Sequence, residues 1–185
     1  AAGTVSARRY GMHATIKAPM ALAPGADGDL LSAALSAFAR RHRPVEMGRL
    51  VPRLIDGFLA LVPAEQPQAL TDFAATVVAD LEPFRAPLSA EDRARRLRSP
   101  LTARQIELLD AYGYPYVLEE FRFHMTLTDR LPQTLQAQRL AEAEAWFADV
   151  LAAPVALDRL VLFKEPAPGD AFVRLDPDFM LSGVS

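Results

Sequence analysis

The most informative absence in this sequence of 185 residues is cysteine, which does not occur at all. Without thiols the chain cannot form a disulfide scaffold, a thiolate zinc site, an iron–sulfur cluster or a cysteine nucleophile. Long apolar runs are missing too, and none approaches the roughly 20 residues that a membrane-spanning helix needs. Because no basic-then-apolar signal segment opens the chain, we expect a soluble, cytoplasmic protein without a membrane partner.

Surplus positive charge is also absent, since 20 basic and 23 acidic residues give a net charge of −3. Proteins that grip nucleic acid through its phosphates usually carry a positive surplus, so a wide nucleic-acid footprint is disfavoured. A local phosphate site remains compatible with this balance. Histidine, the side chain that titrates near neutral pH, is scarce and occurs only as His13, His42 and His124.

Hydrophobic residues make up 51% of the chain, which is enough for a packed core and excludes general disorder. Periodicity predicts strands at residues 12–18, 45–55, 58–62, 121–128, 155–163 and 171–175. It predicts helices at residues 29–42, 67–81, 102–111 and 133–151. Asp56-Gly57, between two of the strands, is a strong hairpin signal.

The order strand, helix, strand, strand occurs twice along the chain, with His13 leading one copy and His124 the other. This repeat predicts an α+β fold of two pseudo-symmetric lobes, each an antiparallel sheet flanked by helices, with the active cleft between the sheets. Within one domain of residues 1–185, lobe 1 covers about residues 8–63 and lobe 2 about residues 117–185. Connecting helices and an insert occupy about residues 64–116.

Both copies of the repeat begin with the same pattern of four residues. The two tetrads are His13-Ala14-Thr15-Ile16 and His124-Met125-Thr126-Leu127. On a strand, residues two positions apart face the same side, so each His shares a face with its Thr. A lone His-x-Thr is usually structural, but two among three histidines would arise by chance roughly once in a hundred sequences at ordinary Thr frequency. We therefore interpret the pair as functional.

Two imidazoles and two hydroxyls that meet across a groove suit a phosphodiester. One neutral histidine acts as general base for the attacking water or hydroxyl, and the protonated histidine acts as general acid for the leaving oxygen. The hydroxyls donate hydrogen bonds to the non-bridging oxygens. This chemistry requires no metal and no other cofactor.

The two tetrads resemble the paired His-x-Thr/Ser-x motifs of the two-histidine (2H) phosphoesterase superfamily, which includes 2′-5′ RNA ligase-like proteins and cyclic nucleotide phosphodiesterases. The strings at residues 10–19 and 121–128 look more specifically like an uncharacterised branch often encoded beside phosphonate-utilisation genes. The resemblance covers nearly the whole chain. The sequence departs from the pattern of the superfamily in one respect. Members usually have a strand and a helix before the first motif, whereas 12 residues precede His13 here.

The resemblance implies a bilobal α+β fold and metal-independent hydrolysis or transesterification of a small cyclic phosphate or phosphodiester. A sugar phosphate from phosphonate metabolism is one such substrate. By motif position, His13 and His124 take the acid and base roles, and Thr15 and Thr126 bind the phosphate. Which histidine is the acid and which is the base stays open.

Further candidates for phosphate binding share the predicted strand faces of the two motif histidines. They are Lys17, Arg122, Thr128 and Arg130. A solvated strand-end lysine and rim salt bridges are the alternative roles for the charged ones. Tyr114 and Tyr116 precede the second motif and are candidates for stacking on a base or sugar, with packing of the turn as the alternative.

Two other functions remain open beside a small-molecule phosphoesterase. One is processing of RNA ends that carry a 2′,3′-cyclic phosphate, which the mild acidity disfavours. The other is a non-catalytic module that holds a phosphorylated ligand. In every case the expected partner is a phosphorylated molecule, and no metal site is predicted.

Overall fold

A computed structural model describes residues 3–184 of the protein, apart from the side chains of residues 5, 6 and 10. Within this range the helices are α1 (Val5–Tyr10), α2 (Gly28–Arg41), α3 (Gln68–Asp80), α4 (Ala90–Arg96), α5 (Ala103–Tyr112) and α6 (Gln133–Phe147). The strands are β1 (Val45–Gly48), β2 (Leu50–Ile55), β3 (Phe58–Pro63), β4 (Met125–Thr126), β5 (Val155–Leu157), β6 (Arg159–Lys164) and β7 (Val173–Met180).

The predicted helices are confirmed, with local signals at their ends. The Asp27 side chain caps α2 by accepting from the amide of Leu30 at 2.8 Å. Thr102 and Gln105 form a capping box at the start of α5, and Gly113 ends that helix in the left-handed conformation at φ 73°. The start of α2 and both ends of α5 therefore coincide with side-chain caps or glycine, whereas α3 and α6 begin after Pro67 and Pro132 without a side-chain cap.

All sheet pairings in the described chain are antiparallel, and they form three small sheets. β1 pairs with β5, β6 pairs with β7, and β2, β3 and β4 form a three-stranded sheet in that order. The predicted α+β class, with antiparallel sheets flanked by helices, is confirmed. Two of the sheets combine strands from both halves of the chain, and the division into two sequential lobes stays a prediction.

The hairpin between β2 and β3 is confirmed. Ile55 pairs with Phe58, which leaves Asp56 and Gly57 as the two turn residues, and both have positive φ, at 47° and 87°. A two-residue turn with positive φ at both positions matches the twist of the strands that it joins. This turn fixes the register of β2 against β3.

The predicted strand at residues 12–18 is wrong, because the backbone there is irregular and bends at residues 16 and 17. Ala14 and Ile16 nonetheless pack against the core, as the alternation indicates. The alternation of apolar and polar residues indicates which side chains are buried, whereas a β-strand also needs a neighbouring strand to pair with. Among the described residues none forms a ladder with this segment. The predicted strand at residues 121–128 shortens to β4 for the same reason.

Two predicted strands are each divided in the structure. Residues 45–55 form β1 and β2, which join different sheets because Gly48 has φ 70° and turns the chain between them. Residues 155–163 contain β5 and the larger part of β6, and these strands also belong to different sheets.

The main hydrophobic core lies between α2, α3 and the inner faces of the sheets. Phe38 and Leu70 are among its most deeply buried side chains, and Leu61 contributes from β3. A smaller cluster joins Val78 of α3 to Leu108 of α5. No helix within residues 3–184 is long and apolar enough to cross a membrane.

Candidate active site

The second motif lies on β4, at the edge of the three-stranded sheet. Thr126 lies opposite Ala60 of β3, and Met125 lies opposite Leu61. Leu61 is buried, and Met125 packs against the main core. Since neighbouring residues of a strand point to opposite faces, Thr126 and Ala60 belong to the face that turns away from this core.

His124 lies beside an aromatic ring on that same face. The ring centroids of His124 and Phe58 are 6.1 Å apart, and Phe58 shares the face of Ala60. Nδ1 of His124 lies 2.8 Å from the carbonyl oxygen of Arg122. A carbonyl only accepts hydrogen bonds, so Nδ1 is the donor and carries a proton. Nε2 is then the nitrogen that can take up or release a second proton.

The first motif repeats this arrangement without a strand. Nδ1 of His13 donates to the carbonyl oxygen of Gly11 at 3.2 Å, so the acceptor is again two residues earlier in the chain. Nε2 of His13 lies 3.1 Å from Oγ1 of Thr15, which brings the imidazole and hydroxyl of this motif together. The ring centroid of Phe163, on β6, lies 5.8 Å from that of His13.

Each motif histidine is therefore packed against a strand from the other half of the chain. Phe58 precedes the second motif by more than sixty positions, and Phe163 follows the first by well over a hundred. Neither phenylalanine was a candidate from the sequence. The periodicity identified strands for both residues, but only the register of the folded sheets brings the rings to the histidines.

The Lys17 ammonium contacts the end of α3. Its Nζ donates to the carbonyl oxygen of Val78 at 3.0 Å and to Oε2 of Glu82 at 2.8 Å. The Lys17 side chain is only 11% exposed, and this burial lowers the pKa of its ammonium while Glu82 partly opposes the shift. Arg85 pairs with the same carboxylate. The structure thus places Lys17 at the C-terminal end of α3, where a cation suits the helix dipole.

Thr128 and Arg130 follow β4 in the chain and contact the β2–β3 hairpin. The amide of Leu59 donates to Oγ1 of Thr128 at 3.0 Å, and the Thr128 amide donates back to the Leu59 carbonyl at 3.3 Å. Arg130 is exposed, and its aliphatic stem passes the hairpin turn, where a Cβ on Gly57 would lie 3.2 Å from its Cγ. These contacts attach residues 127–131 to the β2–β3 hairpin.

Arg122 borders a pocket of about 300 Å³ next to the second motif. Arg53 lines the same pocket from β2 and was not a candidate from the sequence. Arg53 pairs with Ala60, and Ala60 pairs with Thr126, so the three residues lie side by side across the sheet. The alternation of β2 could have indicated the exposure of Arg53, but not which residues it would face.

Tyr114 and Tyr116 contact each other edge to face, with ring centroids 5.6 Å apart. The guanidinium of Arg96 lies over the Tyr114 ring at 5.2 Å, and Tyr114 packs against the smaller hydrophobic cluster. Tyr116 remains 43% exposed. Packing of the turn accounts for Tyr114, and the stacking role of the pair stays a prediction.

Within the part of the chain that the structure describes, no group of three or more His, Asp or Glu side chains has an arrangement that could hold a metal ion. The polar side chains gathered at the two motifs are imidazoles, hydroxyls and, beside the second motif, guanidinium groups. This set can bind an anion and exchange protons with it.

Comparison with known proteins gives two similar curated relatives. The chain is 37% identical over 175 residues to "Ribose 1,5-bisphosphate phosphokinase PhnN" of Janthinobacterium sp. (strain Marseille), covering 92% of this chain and 39% of that protein. It is 39% identical over 167 residues to the protein of the same name from Laribacter hongkongensis (strain HLHK9), covering 90% of this chain and 38% of that protein. The chain thus spans about two fifths of the length of these relatives.

No solved structure matches the chain. A family model described as "Protein of unknown function (DUF1045)" matches residues 15–173, a range that begins at Thr15 of the first motif and contains the whole second motif. Because this match covers most of the chain, the protein belongs to the DUF1045 family.

Proposed function

We propose that this chain is a phosphoesterase that hydrolyses or transesterifies a small cyclic phosphate or phosphodiester. The observation that carries the proposal is the matched state of the two motif histidines. Each histidine donates from Nδ1 to the carbonyl two residues earlier in the chain. Nε2 is therefore the nitrogen of each ring that exchanges a proton with the substrate or water. Two histidines with the same fixed tautomer suit the exchange of acid and base roles during one turnover.

The reaction proceeds by in-line displacement at phosphorus. Nε2 of the neutral histidine takes a proton from water as the water oxygen attacks, and a new P–O bond forms. The bond from phosphorus to the leaving oxygen breaks, and the protonated histidine gives its Nε2 proton to that oxygen. In the cyclic case, the product is one phosphate monoester, and the protonation states are restored by exchange with solvent.

The motif threonines stabilise the charge that develops on the phosphoryl oxygens. Thr15 has its hydroxyl 3.1 Å from Nε2 of His13, and Thr126 lies on the same sheet face as His124. When substrate binds, we propose that the Thr15 hydroxyl turns from the imidazole to a non-bridging oxygen. Donors held ready for such oxygens favour the transition state over the ground state.

We propose that the kinase activity in the relatives' name belongs to a different part of those longer proteins. This chain has no Gly-Lys pair, so it lacks the Gly-x-x-x-x-Gly-Lys-Ser/Thr loop that cradles nucleotide phosphates in many kinases. The name does identify a phosphorylated ribose as the substrate of the relatives. We therefore propose a sugar phosphate as the substrate class here, with phosphonate metabolism as its source.

The direct test measures hydrolysis of adenosine 2′,3′-cyclic phosphate by the wild type and by His13→Gln and His124→Gln. We expect each substitution to lower kcat at least a hundredfold, because proton transfer at one oxygen is lost. His42→Gln is the matched control, since His42 also donates from Nδ1 to a carbonyl but stacks on Phe38 in the core. Turnover that persists in both motif variants would overturn the proposal.

Other outcomes distinguish the remaining functions. Phosphorylation of ribose 1,5-bisphosphate with ATP by this chain, without esterase activity, would favour the kinase. A steep fall of activity with salt, on an oligonucleotide that ends in a 2′,3′-cyclic phosphate, would favour RNA-end processing. A cyclic phosphate that binds and is recovered unchanged would favour a binding module.

A further inference from the structure

The pocket beside the second motif is lined by two arginines, Arg53 on the sheet face that carries Thr126 and Arg122 in the segment just before β4. Arg53 of β2 pairs with Ala60 of β3, which in turn pairs with Thr126 of β4. With neighbouring strands about 4.8 Å apart, the Cα atoms of Arg53 and Thr126 are separated by about 10 Å. Ala60 between them has only a methyl side chain and is covered by neighbouring groups, so Arg53 and Thr126 share a sheet face with a small, buried residue between them.

The lining of this pocket carries two positive charges, and apart from Gln66 its other residues are apolar. Besides Arg53 and Arg122, the pocket of about 300 Å³ is lined by Ile55, Val62, Pro63, Gln66 and Phe123. No carboxylate is among these residues. The pocket therefore offers two guanidinium groups above a floor of aliphatic side chains.

Neither arginine has a carboxylate partner within residues 3–184. Arg53 donates from Nη2 to the Ala64 carbonyl at 3.2 Å, and Arg122 is exposed. Among the described residues some of the other arginines pair with acids, as Arg93 does with Asp110 at 2.6 Å, and others, such as Arg98, do not; Arg53 and Arg122 differ in that both line one pocket. Two cations without acids at one pocket leave a charge that a bound anion can balance.

The backbone around Arg122 is held in place by Gln66. Its Nε2 donates to the Phe121 carbonyl at 3.0 Å, and its Oε1 accepts from the Phe123 amide at 2.8 Å. The Gln66 side chain thus fixes the residues on both sides of Arg122. The Arg122 carbonyl is also the acceptor for Nδ1 of His124. One short segment consequently positions both the guanidinium at the pocket and the imidazole of the motif.

We propose that Arg53 and Arg122 bind a terminal phosphate monoester of the substrate while the reacting cyclic phosphate lies at His124 and Thr126. The substrate class is therefore a sugar with two phosphoryl groups, and this assignment rests on the proposed phosphoesterase function. A phosphate monoester is largely dianionic at neutral pH, and two guanidinium groups match its charge. Each guanidinium can also donate two parallel hydrogen bonds to the phosphate oxygens. The aliphatic floor from Ile55 and Val62 suits the carbon face of the sugar.

The test compares two substrates that differ only in the second phosphate. Adenosine 2′,3′-cyclic phosphate and its 5′-phosphorylated form are assayed with the wild type, the double variant Arg53→Gln/Arg122→Gln, and Arg98→Gln as a charge-matched control. Arg98 is exposed and lies just after α4, outside the pocket. We expect the wild type to prefer the 5′-phosphorylated substrate at least tenfold in kcat/KM. The double variant should lose that preference, measured as the ratio of kcat/KM for the two substrates, and Arg98→Gln should keep it.

A wild type without preference, or a double variant that retains it, would overturn the second-phosphate site while leaving the phosphoesterase proposal intact. If the wild type hydrolyses neither substrate, the proposed function fails, and calorimetry with ribose 5-phosphate then tests the pocket alone. If ribose 5-phosphate binds to the wild type and to His124→Gln but not to the double variant, the result supports the second-phosphate site. Equal binding by all forms, or none by the wild type, contradicts it.

Discussion

His124 and Phe58 lie with their ring centroids 6.1 Å apart and an interplanar angle of 56°, although they come from opposite halves of the chain. His13 and Phe163 have the corresponding relationship at 5.8 Å and 51°. Packing against a ring restricts how the imidazole turns without occupying either of its nitrogens. Each half of the chain therefore supplies the aromatic contact for the motif histidine of the other half.

Replacement of Phe58 by Leu should lower kcat about tenfold with little change in KM. The His124 ring loses its aromatic neighbour, so Nε2 spends less time aligned with the leaving or attacking oxygen. Phe58→Tyr retains a ring and should retain most of the activity. Steady-state kinetics of both variants check this prediction, and an equal loss in Phe58→Tyr and Phe58→Leu would contradict a positioning role.

Replacement of Thr126 by Val should lower kcat/KM for the cyclic phosphate by about a hundredfold, the scale expected for loss of one donor to a phosphoryl oxygen. Valine keeps the shape and strand preference of threonine. The fold should therefore survive, as circular dichroism and thermal melting would verify. Thr126→Ser restores a hydroxyl and should recover much of the activity; failure to recover would argue against hydrogen bonding as the role of this residue.

Replacement of Lys17 by Met should leave kcat/KM within about threefold of the wild type. The ammonium already donates to the Val78 carbonyl and to the Glu82 carboxylate, which use two of its three N–H donors. Glu82 still has Arg85 as a partner in the variant, so we expect the free energy of unfolding to change by less than about 2 kcal/mol. A large loss of activity at unchanged stability would instead restore Lys17 as a phosphate ligand.

The ionisation of Lys17 should also be visible in the pH dependence of stability. Burial lowers the pKa of Lys17 below 10.5, so the unfolded chain binds more protons than the folded one between the folded pKa and 10.5. Wild-type stability should therefore rise relative to Lys17→Met as pH increases through that window. Urea denaturation of both proteins at pH 7 and pH 10 measures the difference, and a fall with pH would have the wrong sign.

Replacement of Gly57 by Ala should destabilise the protein by about 1–2 kcal/mol, because an L-residue is strained at a φ of 87°. The added Cβ would also approach Cγ of Arg130 at 3.2 Å. Gly57→Asn should cost less, since asparagine tolerates positive φ. Chemical denaturation of the two variants gives the comparison, and equal losses would indicate that crowding by Arg130 dominates over backbone strain.

The helices and the β2–β3 hairpin could be predicted because their signals are local. Asp27, Thr102 and Gly113 mark helix ends, and Asp56-Gly57 specifies a two-residue turn. The alternation around both motifs also identified apolar residues that pack against the core, namely Ala14, Ile16, Met125 and Leu127, but it wrongly included Met12, which is 60% exposed. Such features depend on neighbours within a few positions, so the order of residues suffices to indicate them.

The partners of these segments could not be predicted in the same way. Residues 12–18 have the alternation of a strand without a ladder, and Lys17 has the spacing of a site residue but a buried ammonium that contacts α3. The sequence by itself determined the two His-x-Thr motifs, their apolar sides and the scarcity of histidine around them. The tertiary structure alone decided that Phe58 and Phe163 lie next to the histidines. It also decided that Arg53 shares a sheet face with Thr126, with Ala60 between them. The reason is that sheet register and packing depend on contacts between residues far apart in the chain, which no local pattern encodes.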